Sequence, residues 1–276
     1  KSTRHRHTWH GRQVGGHRRH HAKSWTVVAD SPYGRRLTSN TPMRVSGPAA
    51  GHALMQTNEY AITTAASTPT GNITNGRVVN GTINNCANGV TPWGTYLTCE
   101  ENWNGNFGAN GALDTSTSTE IGKLNRRYGL SANGNGYRWH TVDPRFDLSV
   151  NPHEPHLFGW VVEVDPYDPH HTPIKRTALG RFKHESAQYV VDRAQNLAFY
   201  MGDDERNEYI YKFVCAGKYN PGNRAANRDL LELIYAALVL GFEGRYRVID
   251  NGPAQLAAVR DRLAQIPVRQ AERFDE

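Results

Sequence analysis

Short runs in which apolar and polar residues alternate, each closed by Gly, Pro or Asn, recur through most of the chain. Ser24-Trp25-Thr26-Val27-Val28, Arg77 to Asn84, Thr95 to Cys99, Gly159 to Val164, Ser186 to Val191, Leu197 to Met201 and Tyr209 to Val214 are of this kind and predict β-strands joined by tight loops. Little helical periodicity and no alternation of strand with helix make the expected class all-β: a sandwich, a barrel or a propeller. No strict internal repeat is visible, so periodicity alone does not choose among the three. Two stretches interrupt the strands, 104–135, rich in Gly, Asn, Ser and Thr, and 143–158, rich in Pro and His. Long irregular loops on a β scaffold carry a binding site or stabilise one. After Leu230 the pattern changes. Leu256, Val259, Leu263 and Ile266 fall at helical spacing before Pro267, which predicts one C-terminal amphipathic helix.

With 276 residues, 38% of them hydrophobic and 10% aromatic, the chain has material for one large core or two modest ones. Its longest apolar run, Leu233 to Phe242, falls short of the roughly 20 residues of a membrane helix, so no span is expected. The net charge of +6 sits largely in one place, because Lys1, Arg4, Arg6, Arg12, Arg18, Arg19 and Lys23 all precede the first acidic residue, Asp30. Removing these seven from the 32 lysines and arginines leaves 25 against 26 acidic residues, so the rest of the chain is near neutral. Residues 1–24 also hold His5, His7, His10, His17, His20 and His21, and read as a basic His-rich arm or edge segment. Such an arm could meet nucleic acid, an acidic surface or a divalent metal, or stay solvated. No aromatic ladder or binding-fold signature accompanies it, which argues against nucleic acid. Cys86, Cys99 and Cys215 are too few for a disulfide framework, although one bridge with a leftover thiol stays open.

Candidate chemistry centres on Asn85 to Trp103, which holds a thiol, a Pro-Trp-Gly turn and two adjacent carboxylates. Cys86 lies in the turn-prone Asn84-Asn85-Cys86-Ala87-Asn88-Gly89 and is expected to be displayed at a strand end, as a metal ligand or a nucleophile rather than a small buried hydrophobe. Strand alternation points Glu100 and Glu101 to opposite faces, so one of the two shares a cavity with Cys86; a surface pair is the alternative. His184-Glu185 adjoins a strand-like run, and Asp203, Asp204, Glu205 and Glu208 follow another. Those four carboxylates suit calcium, or else form a solvated turn. There is no phosphate-cradling Gly loop, no Gly-x-Ser-x-Gly elbow, no His-Glu-x-x-His and no CxxC pair.

Three runs together resemble the signature segments of PhoX-type alkaline phosphatases: Asn84 to Asn102, with Asn-Asn-Cys-Ala-Asn-Gly-Val-Thr-Pro-Trp-Gly at its start; Gly180-Arg181-Phe182-Lys183-His184-Glu185; and Tyr200 to Phe213, with Tyr-Met-Gly-Asp-Asp-Glu-Arg-Asn-Glu at its start. The likeness covers roughly residues 24–230. It implies a six-bladed β-propeller, of which this chain covers a part, exported by the twin-arginine route to the periplasm or beyond. It also implies hydrolysis of phosphomonoesters with an iron pair and calcium ions. On this resemblance Cys86 and Glu185 are iron ligands and Glu101 and Asp204 are calcium ligands, with no covalent protein nucleophile. The family's upstream Asn-His-Glu-Tyr segment has only a partial counterpart, Asn58-Glu59-Tyr60, at a different place in the order. Its later Arg-Pro-Glu motif has no match in Arg273-Phe274-Asp275-Glu276, so the phosphate-binding arginine is unassigned. The expected layout is an arm over 1–24 and a partial propeller over 25–276. A non-catalytic, calcium-stabilised propeller used in attachment or assembly is the competing reading; a propeller lactonase would leave the thiol without a role.

Overall fold

The computed structural model describes residues 28–62, 67–231 and 238–239. The basic arm, most of the strand expected from Ser24 and the helix expected around Leu256 to Ile266 lie outside the described residues. The strands are β1 (Pro42–Ser46), β2 (Asn58–Ile62), β3 (Ser67–Ile73), β4 (Val78–Asn80), β5 (Asn85–Val90), β6 (Tyr96–Glu100), β7 (Val161–Val164), β8 (Ile174–Arg176), β9 (His184–Val191), β10 (Asn196–Asp203), β11 (Ile210–Lys218) and β12 (Leu238–Val239). Two short helices, α1 (Glu120–Arg127) and α2 (Arg224–Arg228), join several single 3-10 turns. The described chain is therefore mostly β with few helices, and none of its helices is long and apolar enough to cross a membrane.

Six strands form one sheet in the order β4-β1-β8-β7-β6-β5, four form a second in the order β12-β11-β10-β9, and β2 pairs with β3. Within the larger sheet β5 to β8 run as a consecutive antiparallel meander, and β9 to β12 form another. The leading strands of these two meanders, β5 and β9, lie against each other. Among the described residues the sheets do not close into a barrel or a ring. One apolar core, with Leu97, Cys99, Val161, Leu197, Phe199 and Phe213, fills the space between the meanders.

A second core sits where irregular loops were expected. Trp103, Phe107, Phe146, Leu157 and Phe158 are at most 1% exposed and pack with Met55, Leu130 and Leu148. Phe107 stands 5.3 Å from the Phe146 ring and 5.7 Å from the Phe158 ring, and full burial of side chains of this size stabilises by roughly 1.5–3 kcal/mol each. Within 104–135 lies α1. Thr119 caps it by accepting from the Gly122 amide at 3.0 Å, Glu120 opens its first turn and Arg126 and Arg127 close its last, each suited to the helix dipole.

Candidate metal centre

Two bulged hairpins set the expected site residues. Asn85 faces Glu100 across β5 and β6, and the next pair is Asn88 with Thr98, so β5 carries one extra residue at Cys86–Ala87. β9 repeats the device. Gln188 faces Tyr200 and Glu185 faces Gly202, with the extra residue beside Ser186, whose φ is 63°. A bulge twists its strand locally and re-aims the neighbouring side chain. Cys86 and Glu185 thus leave the starts of β5 and β9, Glu101 follows the end of β6 and Asp204 the end of β10, all at the same end of their hairpins. Gly89 lets the hairpins meet: a Cβ there would lie 2.1 Å from the Ala187 carbonyl oxygen. Asn84, at φ 49°, turns the chain into β5, and its carbonyl accepts from the Glu101 amide at 3.0 Å.

Ligand atoms of Cys86, Glu101 and Glu185 lie within 4.8 Å of one another, with the thiol exposed, Glu185 half-buried and Glu101 buried. Asn102 Nδ2 donates to Glu101 Oε1 at 2.7 Å. Asp204 stands beside Glu101, and burial together with that contact lifts Glu101 above the usual carboxylate range. Contact with Glu101 lifts the Cys86 thiol in turn, and burial and the charges of Glu185 and Asp204 push the same way.

Other carboxylates nearby are neutralised by the chain itself. Glu100, fully buried, receives Lys175 Nζ at 2.7 Å and the amides of Gly159 and Trp160 at 2.9 and 3.0 Å. Glu205 receives Lys183 at 2.6 Å, and Arg127 lies 3.1 Å from Glu208 and 3.6 Å from Asp203. By contrast, among the described residues no lysine or arginine forms an ion pair with Glu101, Glu185 or Asp204. Like charges gathered without a counter-ion destabilise each other unless an external cation joins them. A thiol beside carboxylates offers sulfur to a transition metal and oxygen to a harder cation, so the donor set fits a mixed metal centre.

Of the four residues expected in the site, Cys86, Glu101 and Glu185 are thus brought together, with Asp204 beside Glu101. Several details differ from expectation. Asn85–Val90 is strand rather than turn, with the thiol still exposed. The Pro92-Trp93-Gly94 turn lies at the far end of the β5–β6 hairpin, where Trp93 Nε1 donates to Glu163 at 3.1 Å. The acidic loop does not act as one oxygen cage, because Asp203, Glu205 and Glu208 are drawn to Arg127 and Lys183. Glu100 and Glu101 do part to different surroundings, but both are buried, which Lys175 makes tolerable. All three cysteines are free, and burial pushes Cys99 and Cys215 up to about 12. Arg127 and Lys175 had no motif to announce them.

Residues 1–237 match the family model described as alkaline phosphatase PhoX. The chain belongs to the PhoX alkaline phosphatase family. It is similar to the solved structure of Pseudomonas fluorescens PhoX in complex with vanadate, a transition state analogue, at 49% identity and a TM-score of 0.65. That likeness covers 76% of this chain and 33% of the other, so the chain spans about a third of that PhoX. No curated protein sequence matches. Residues 219–275 also match the model of the type VI secretion system protein DotU. The three PhoX-like runs are the ones that build the centre: the β5–β6 hairpin carries Cys86 and Glu101, the entry to β9 carries Glu185, and the β10–β11 hairpin carries Asp204.

Proposed function

We propose that this chain carries the metal-binding part of an exported phosphomonoesterase, in which Cys86 and Glu185 hold iron and Glu101 and Asp204 hold calcium. The observation that carries this reading is the convergence of Cys86, Glu101 and Glu185 within 4.8 Å, without a protein cation among the described residues, in a chain of the PhoX family. Two four-stranded antiparallel meanders in sequence, β5 to β8 and β9 to β12, with their leading strands side by side, are the arrangement of neighbouring propeller blades and support a part of a six-bladed propeller.

Phosphoryl transfer asks for positioning and charge neutralisation more than for covalent chemistry. When bound, the metal ions supply that neutralisation and activate the attacking oxygen. The chain's own part is to hold and prepare the ligands. The Cys86 Sγ proton leaves as the site loads and Glu101 binds as the carboxylate, because thiolate and carboxylate are the ligating forms. Asn102 keeps one Glu101 oxygen fixed, and Lys175 holds Glu100 out of the centre. The phosphate-binding arginine is not assigned to any residue described.

The test is release of inorganic phosphate from a generic aryl phosphomonoester by the protein loaded with iron and calcium, with lactones assayed beside it. Phosphate release without lactone opening is expected. A folded, loaded protein that releases no phosphate overturns the phosphatase reading; calcium retained without iron would point to the non-catalytic propeller.

A further inference from the structure

Arg127 closes α1, inside the stretch between β6 and β7 that joins no family signature run, yet it reaches both sides of the loop that carries Asp204. Asp203, just before Asp204, has a side chain only 1% exposed, and its Oδ2 has no hydrogen-bond partner. Arg127 Nη2 lies 3.6 Å from that oxygen and 3.1 Å from Glu208 Oε1, bridging the two shoulders of the loop. The next residue, Tyr128, donates its hydroxyl to the Arg181 carbonyl at 2.9 Å, and the Arg181 guanidinium sits over both the Tyr128 and Trp103 rings, at 4.2 and 4.4 Å from their centroids. Arg181 leads into Lys183, whose carbonyl accepts from the Asp204 amide at 3.0 Å, and then into Glu185. The last turn of α1 therefore touches both downstream segments that bear proposed ligands.

We infer that Arg127 is a positioning residue for the metal centre, fixing the Asp204 loop against the Glu185 strand from the α1 side. The inference rests on the metal-centre reading above. Sign separates positioning from simple charge. Removing a nearby cation strengthens binding of another cation by Coulomb's law alone, whereas removing a clamp weakens it. Residues that orient metal ligands from behind typically change metal affinity by about 10- to 100-fold when replaced.

Calcium alone is titrated calorimetrically into the chelator-stripped full chain, comparing wild type with Arg127→Met and Arg127→Lys, with circular dichroism as the check on folding. Affinity about tenfold or more weaker is expected for Arg127→Met, with partial recovery in Arg127→Lys, whose single ammonium can hold one shoulder of the loop. Unchanged or tighter calcium binding by folded Arg127→Met, with wild-type binding intact, overturns this inference alone. Absence of calcium binding by the wild type overturns the metal-centre reading and this inference with it. Arg127→Lys, which keeps the charge but not the guanidinium that reaches both Asp203 and Glu208, carries the test if Arg127→Met does not fold: weaker binding than wild type is expected, and wild-type or tighter affinity overturns the proposal.

Discussion

Glu100 and Glu101 are adjacent in sequence and both buried, yet they meet opposite treatment. Lys175 reaches Glu100 from seventy-five residues downstream, and two backbone amides complete its shell. The Glu101 side chain meets Asn102, Cys86 and other carboxylates, with no lysine or arginine ion pair among the described residues. Burial pulls the Lys175 ammonium below its usual range while the Glu100 carboxylate pulls it back. Replacing one partner of such a pair leaves an uncompensated buried charge and costs about 3–5 kcal/mol. Lys175→Met is expected to lose that much stability in chemical denaturation, and Glu100→Gln with Lys175→Met to regain most of it. A loss below about 1 kcal/mol in the single variant would mean that the amides alone satisfy Glu100. Which of the two glutamates enters the centre could not be read from strand alternation, since the deciding lysine is remote in sequence.

The hairpins depend on close approach as much as on pairing. Gly89 is the point where β5 meets the β9 bulge, and a methyl group there must displace the Ala187 backbone. Gly89→Ala is expected to cost about 1–3 kcal/mol and to lower metal content, because the shift separates Cys86 from Glu185. Thermal denaturation and metal analysis of the same sample check it, and a variant with wild-type stability and metal content would contradict the tight approach. Most strands were legible: the runs at Thr95 to Cys99, Ser186 to Val191, Leu197 to Met201 and Tyr209 to Val214 overlap β6, β9, β10 and β11. The bulges were not, since an extra residue shows only against its partner strand. Nor was the second core. Phe107, Phe146 and Phe158 lie in irregular stretches with no helical or strand period to mark them as buried.

Across the molecule, two meanders and a packed insertion meet at one group of ligands, and the three runs that resemble the family supply all four residues of that group. The change of pattern after Leu230 falls near the limit of the PhoX match at 237 and inside the DotU match at 219–275. Leu238–Val239, within that second match, pairs as β12 with β11 at the edge of the four-stranded sheet. The most direct test of the centre is elemental analysis of the purified wild-type protein beside Cys86→Ala. Iron and calcium together in the wild type, with iron lost and calcium partly kept in Cys86→Ala, is the expected result. Equal iron in the two proteins, or a folded wild type that holds neither metal, would contradict it.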